Sequence, residues 1–297
     1  MAAARSLSSR RILITGPARG IGAALAEQLA RRGARLALVG LEPERLAELA
    51  ARCGDAPFVA GCDVSDSDQV TDAVDRAAAA LGGLDAVVAN AGIATSGPLR
   101  LHDLRSWQRV IEINLLGVMY TDRAALPHLE RTDGYLLNIA SAAAIARAPG
   151  MTAYCAAKAG VEALSDCLRV ESRGLGVQVG VAYFMFLDTD MVRDVAREAP
   201  VLDRAESRIE RFIGRTHPVE PAVNELVAAI AERRRRVAYP RWLLPALALR
   251  QLFASPLVER LSANGARESL AAHEQLVAER GARAASATER TRELAGL

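Results

Sequence analysis

The chain predicts a doubly wound parallel α/β sheet in one domain, followed by a helical extension. Three observations lead there. Short apolar runs alternate with amphipathic helical stretches through residues 10–240, two of those runs are apolar on both faces, and a glycine cluster stands between the first run and the first helix. Parallel strands need long crossovers, so strands that alternate with helices of ten or more residues line up in one direction with helices on both sides.

In chain order the reading is a strand at 11–15, helix 20–32, strand 34–40, helix 43–53 and a short strand at 57–60, which is βαβαβ. It continues with helix 67–81, strand 84–89, a long helix 103–130, strand 134–140, helix 152–173, strand 176–183 and helix 219–233. Leu36 to Val39 and Ala86 to Ala89 carry no polar side chain, as strands covered on both faces require. This is the Rossmann type of architecture. A length of 297 residues allows one large or two ordinary domains. No Pro/Gly/Ser-rich linker and no repeat of solenoid length divides residues 10–240, which are read as one catalytic domain. Residues 241–297 are read as a C-terminal extension acting as lid, oligomer contact or partly disordered tail.

Composition removes several classes of function. With 51% hydrophobic and 24% charged residues the chain is globular, and a net charge of +2 offers no overall attraction to nucleic acid. Cys53, Cys62, Cys155 and Cys167 form no CxxC pair, and His102, His128, His217 and His273 lie far apart, so no metal site is expected. Unpatterned cysteines read as reduced residues of a cytoplasmic protein. Met1 to Arg11 lacks the apolar stretch of a signal peptide, so export is not expected. Trp242 to Leu249 is broken by Pro245 and stopped by Arg250, too short to cross a bilayer.

The first strand-to-helix turn reads Thr15-Gly16-Pro17-Ala18-Arg19-Gly20-Ile21-Gly22. Glycines there let the backbone turn tightly and approach a pyrophosphate, and the helix starting at Gly20 offers free N–H groups and a partial positive charge. The spacing is Gly-x-x-x-Gly-x-Gly. Further on, Tyr154 and Lys158 stand four apart at the start of a predicted helix and share a face. Ser141 ends the preceding strand, and Asn114 lies inside the long helix.

Together these residues resemble the short-chain dehydrogenase/reductase family in its single-domain branch, over Arg11 to about Pro240. The resemblance implies an NAD(P)(H)-dependent oxidoreductase that interconverts a carbonyl and an alcohol. It assigns Tyr154 as general acid/base and Ser141 as the group that holds the carbonyl oxygen. Lys158 would favour phenolate and bind the nicotinamide ribose, and Asn114 would hold a relay water. Asp63-Val64 resembles the adenine contact and Asn90-Ala91-Gly92 the family's NAG motif. Taken alone, Asp63 would read as a helix cap and Asn90 as a strand-end turn. Homodimers or homotetramers are implied as well.

Composition adds an independent pointer to the same place. Of 37 Lys plus Arg residues, 36 are arginine, and Lys158 is the sole lysine. A chain biased so strongly against lysine keeps one where a compact ammonium suits the chemistry better than a guanidinium fork.

Where the family usually has Pro-Gly after the sixth strand, this chain has Phe184 and Met185, while the Leu187 backbone and Thr189 remain for the nicotinamide carboxamide. At the end of the second strand, where a ribose carboxylate would favour NAD, stand Gly40 and Leu41; Glu42 lies two positions later. Arg19 in the phosphate loop can pair with a 2′-phosphate, so NADP(H) is favoured over NAD(H). The substrate is expected to be a small hydrophobic carbonyl or alcohol. Its pocket would be formed by Ala142, Ala143, Ala144, Ile145, Pro149, Met151, Phe184 and Met185, with Met191 to His217 as the family's mobile lid. Two other readings stay open. One is a cofactor-binding regulator without turnover. The other is peripheral membrane contact by an enzyme of lipid-like substrates, through Arg233 to Arg236 and Arg241 ahead of Trp242-Leu243-Leu244, against the plainer reading of a solvated helix end.

Overall fold

The computed structural model describes residues 6–54, 56–146, 148–198, 215–251 and 255–297. A seven-stranded, wholly parallel sheet runs in the order β3-β2-β1-β4-β5-β6-β7. The strands are β1 (Arg11–Thr15), β2 (Arg35–Gly40), β3 (Phe58–Gly61), β4 (Ala86–Ala89), β5 (Tyr135–Ile139), β6 (Gln178–Phe184) and β7 (Arg236–Tyr239). β1 pairs with β2 on one side (Ile12 with Leu36) and β4 on the other (Leu13 with Val87). The chain therefore reverses its direction of winding between β1 and β4, and a doubly wound sheet opens a crevice at the carboxyl ends of its strands at such a point.

Alternation along β1 builds the two layers. Ile12 and Ile14 face a core shared with Leu25 and Leu29 of α1 (Gly20–Ala30), Leu46 of α2 (Pro43–Cys53) and Leu226 of α8 (Val219–Glu232). Leu13 faces the opposite core with Val74 of α3 (Ser67–Leu81), Leu129 of α5 (Gly117–Glu130) and Ala157 of α6 (Thr152–Glu171). Ile12, Leu13 and Ile14 are fully buried, and burial of such side chains contributes about 1.5–3 kcal/mol each. α3 is capped by Asp66, whose carboxylate accepts from the N–H groups of Asp68 and Gln69. The capping role thus belongs to Asp66, which leaves Asp63 for another.

Two expectations need correction. The predicted helix at 103–130 consists of α4 (Leu104–Ile111) and α5 joined by a π-helical turn over Glu112–Leu116, and Asn114 sits inside that turn. An inserted residue re-aims side chains out of the regular helical register, which is where such turns serve a site. The sequence reading also ends the sheet at the sixth strand, but β7 adds a seventh, paired Val181 with Arg236 through Phe184 with Tyr239. Its four residues follow an arginine run and were hidden by it. Arg236 reaches Asp166 at 3.2 Å, Arg234 pairs with Glu225 and Glu232, and Arg241 pairs with Glu225. These cations pair with the protein's own acids.

Behind β7 come α7's successors in the extension: α9 (Leu243–Ala248), a helical run α10 (Pro256–Ser286) broken at Gly281, and α11 (Glu289–Ala295). α7 itself spans Asp190–Glu198. The expected lid, Met191 to His217, falls in part on residues 199–214, outside the described residues. Among the described residues no helix is long and apolar enough to cross a membrane, and no group of three His, Cys, Asp or Glu could hold a metal.

Candidate active site

An open cleft lies at the carboxyl ends of β1 and β4, where a doubly wound sheet takes its ligands. It is lined by Gly16, Arg19, Gly20, Ile21, Gly22, Asp63, Val64, Asn90, Gly92, Ser141, Tyr154, Lys158, Leu187 and Thr189. The fold therefore gathers every predicted site residue except Asn114 onto one wall. Asn114 stands one layer behind.

The phosphate loop has the geometry its glycines predict. Gly16 adopts φ +61°, and a Cβ there would stand 2.7 Å from the Ala91 Cα; a Cβ at Gly22 would meet the Pro17 Cα at 2.8 Å. No side chain caps α1 and its first turn holds no acid, so N–H groups and the positive end of the helix face the cleft. Asn90 fixes this loop from the next strand. Its Nδ2 donates to the carbonyls of Thr15 and Gly16 at 3.0 Å each, and its N–H donates to the Thr15 hydroxyl at 3.0 Å. Its contacts are thus with the loop, a stronger role than the bare strand-end turn.

Asp63 accepts from the Ser65 N–H (2.9 Å) and hydroxyl (2.8 Å), and from Arg109 (3.2 Å). Burial alone would raise its pKa, but the Ser65 bonds and the Arg109 cation outweigh it and hold the carboxyl below its ordinary value. Asp63 is therefore an ionised acceptor at the cleft edge.

Arg19 does not stand free. Its Nε donates to Glu42 at 3.0 Å, and a second nitrogen pairs with the same carboxylate. Its Nη1 lies 3.9 Å from Asp190 and is buried without a hydrogen-bond partner. Burial, and after it the neighbouring cations Arg45 and Arg290, lower its pKa.

At the other end of the cleft the catalytic candidates converge from three elements. Ser141 follows β5 and caps a short 3₁₀ turn, its hydroxyl accepting from the Ala143 N–H at 3.2 Å. It donates to the Phe184 carbonyl at 3.4 Å, and its pull on the Tyr154 phenol is felt in that group's pKa. Burial raises Tyr154 above its usual phenol pKa, and Ser141 only partly offsets this. Lys158, one turn further along α6, is 3% exposed; its Nζ donates to the Ile139 carbonyl at 2.8 Å and lies 5.7 Å from the centre of the Tyr154 ring. Burial lowers its pKa from 10.5 to about 8, so at neutral pH it is still largely an ammonium. Asn114 holds both polar groups of the Ile93 backbone, accepting from its N–H and donating to its carbonyl at 2.8 Å each. A Cβ at Gly92 would approach the Asn114 Oδ1 to 3.2 Å and the Lys158 Nζ to 3.7 Å. Glycine at 92 is what lets the ammonium and the π-turn amide come together.

The predicted pocket residues divide. Phe184 and Met185 line the cleft, although both are buried. Ala142, Ala144 and Ile145 turn away and pack in a core cluster with Val181 and Tyr183. Apolar lining of the cleft comes also from Ile93, Met191, Val192 and Leu294. Leu294 belongs to α11, as do Arg290 and Thr291 on the same wall. Sequence reasoning passed over all three, along with Arg109. The Thr288 cap of α11 was visible as a helix start, but nothing local says where that helix docks.

Comparison with known proteins agrees with this geometry. The family profile described as short chain dehydrogenase matches residues 10–200. The chain is 36% identical to cis-4-hydroxycyclohexanecarboxylate dehydrogenase of Sinomonas cyclohexanicum over 76% of its own length and 90% of that enzyme. It is 39% identical to D-threitol dehydrogenase of Mycolicibacterium smegmatis over 58% of its length and 68% of that enzyme. Among solved structures, a short-chain type dehydrogenase/reductase from Mycobacterium marinum superposes with a TM-score of 0.69 at 27% identity, covering 76% of this chain and 89% of that one.

Proposed function

The chain belongs to the short-chain dehydrogenase family of NAD(P)-dependent oxidoreductases of alcohols and carbonyls, and from that premise we propose that it interconverts a small, largely apolar ketone and its alcohol, with Tyr154 as the acid/base. The observation that carries this is the meeting of Ser141, Tyr154 and Lys158 at one end of a cleft whose other end is an uncapped helix N-terminus behind Gly16, Gly20 and Gly22.

The residues present fit a nicotinamide dinucleotide. A Cβ at Gly16 would collide with Ala91, and one at Gly22 with Asn90 and Pro17, so glycine is required for the tight loop that suits a pyrophosphate; Asp63, Val64, Leu187 and Thr189, which the family resemblance assigns to the adenine and the carboxamide, line the same cleft. When bound, such a cofactor supplies or accepts hydride at the carbon whose oxygen the protein handles. Ser141 holds that oxygen by a hydrogen bond. Tyr154, which keeps its proton at neutral pH in this state, gives the proton to a carbonyl oxygen, or takes it back from a hydroxyl. The Lys158 ammonium stabilises the phenolate left behind. Asn114 braces the Ile93 backbone with one bond in each direction, and the remaining N–H and lone pair of its amide are available for the relay water.

For the cofactor we favour NADP(H). Gly40 puts no carboxylate at the ribose, Glu42 is already engaged by Arg19 and Arg45, and the Arg19 Nη1, which makes no hydrogen bond, is a donor for a 2′-phosphate. For the substrate, the wall of Ile93, Met185, Met191, Val192 and Leu294 suits an alicyclic alcohol of the kind named for the Sinomonas relative better than a polyol. The same reading places the enzyme in the cytoplasm as a homodimer or homotetramer, with exposed Leu104 and Val170 as apolar surface for subunit contact. A panel of alicyclic, aliphatic and polyol substrates run with NADPH and NADH tests all of this together. Turnover of apolar ketones with NADPH is the expected result, and a protein that binds dinucleotide yet turns over nothing on the panel would return the regulator reading.

A further inference from the structure

The helix α11 does not trail from the fold; it is docked across the mouth of the cleft. The Ser286 carbonyl accepts from the Ser96 N–H at 2.8 Å, the Ser286 hydroxyl accepts from the Asp103 N–H at 3.0 Å, and the Ala295 carbonyl accepts from Arg109 at 2.8 Å. Thr291 and Ala295 are buried. Arg109 is the same residue that holds Asp63, so the docking of α11 and the expected adenine contact share one guanidinium.

On the cleft side, α11 presents Arg290. Its Nη1 lies 2.7 Å from Asp194 and 3.5 Å from Asp190, both on α7, and Asp190 is also 3.9 Å from Arg19 of the phosphate loop. Asp194 is almost wholly buried, and Asp190 and Asp194 both line the cleft. Two carboxylates therefore stand on the wall of a site whose glycine loop and helix terminus are built for a ligand with several negative charges. Asp190 also pairs with Arg193 at 2.7 Å and Asp194 with Arg197 at 3.6 Å, but those two cations are half exposed or more and screened by solvent, so Arg290, at 2.7 Å, is the nearest cation to buried Asp194. Without it the carboxylates would repel such a ligand, and inside a partly dry cleft that repulsion is poorly screened.

We propose that Arg290 is a cofactor-positioning residue, supplied by the C-terminal extension, whose cation neutralises Asp190 and Asp194 so that the cleft admits a dinucleotide phosphate group. This rests on the dinucleotide reading above. Arg290 acts through the two aspartates, and α11 is by the same geometry a fixed wall of the site. The arrangement gives α7, which follows Thr189, and α11, which carries Leu294, a common ionic seam along the cleft.

The test is a fluorescence titration of NADPH into the parent protein, Arg290→Ala, Arg290→Lys and the double variant Arg290→Ala/Asp194→Asn, with thermal unfolding of each. Arg290→Ala is expected to weaken NADPH binding about tenfold or more, since it strands a buried carboxylate beside the phosphates. Arg290→Lys should recover part of the loss. The double variant should recover most of it, because removing the stranded charge removes the repulsion; a helix that merely docks through the ion pair would show the loss and the recovery in the melting temperature of the cofactor-free protein, with NADPH affinity unchanged. Arg290→Ala binding NADPH within about twofold of the parent, or a double variant no better than the single one, overturns the proposal while leaving the dinucleotide reading intact. A parent protein that binds neither NADPH nor NADH overturns both.

Discussion

Replacing Lys158 with methionine should make the cofactor-free protein more stable and catalytically dead. The side chains are of similar length, so the change removes a charge with little change in volume. Burial lowers the Lys158 pKa from 10.5 to about 8, and at about 1.36 kcal/mol per pH unit this means the buried ammonium costs the folded state roughly 3 kcal/mol at neutral pH. Against that, the Ile139 carbonyl loses its donor, worth about 1–3 kcal/mol. The net expectation is a gain of about 0–2 kcal/mol, or a melting temperature higher by up to about 5 °C for a protein of this size. The sign with pH follows from the lowered pKa. Below about pH 8 both folded and unfolded chains hold the proton and the cost is complete. Between about pH 8 and 10.5 the folded protein has released it while the unfolded chain has not, so the parent gains stability as pH rises through that window. Tyr154 and Cys62, whose pKa values burial raises, act in the opposite sense at high pH, and subtraction of the methionine variant cancels them. Chemical unfolding of parent and variant at pH 7 and pH 9.5, without cofactor, measures the gap at both. A methionine variant less stable than the parent at pH 7, or a gap that fails to shrink at pH 9.5, would refute the assignment of Lys158 as a strained, functionally retained charge. Lys158→Arg adds the complementary check, since its larger planar fork keeps the charge but spreads it and cannot reproduce the compact ammonium that donates to the Ile139 carbonyl; it should fold and lose most turnover.

Tyr154→Phe should lower turnover by about 10²- to 10⁴-fold with NADPH affinity nearly unchanged, and steady-state kinetics beside a binding titration separate the two. Arg19→Ala should narrow the affinity gap between NADPH and NADH; tighter NADH binding by the parent would contradict the role given to its Nη1, which makes no hydrogen bond. Asp122 is wholly buried on α5 with one bond from Asn138 (2.8 Å), and burial raises its pKa to about 8. The folded protein thus keeps a proton that the unfolded chain releases near pH 4, so stability falls as pH rises from about 4 to 8. Asp122→Asn should flatten that decline and raise the unfolding midpoint at pH 8; a variant that unfolds earlier than the parent there would show that the carboxyl makes a contact worth more than its burial costs.

Much of this protein was legible along the chain because its signals are local. Leu36–Val39 and Ala86–Ala89 read as strands buried on both faces because their own side chains say so, and the glycines at 16, 20 and 22 announce a tight approach that only residues without Cβ permit. The Tyr154–Lys158 spacing is a property of one helix, and the sole lysine is a property of composition. The structure decided what depends on partners distant in sequence. Asn90 fixes the phosphate loop across 75 residues. Asn114 owes its aim to a π-helical turn inside what reads as one uninterrupted helix. The strand β7 hides behind an arginine run because its pairing with β6, and not its own composition, makes it a strand. Arg19 and Glu42, each read alone as a possible ribose or phosphate ligand, bind each other. The largest difference lies in the extension: its last helix reads only as helix-forming, yet Arg290, Thr291 and Leu294 form a wall of the cleft. Local propensity determines that a segment is helical, but which surface it covers is set by long-range packing and charge pairing, and those exist only once the chain has folded.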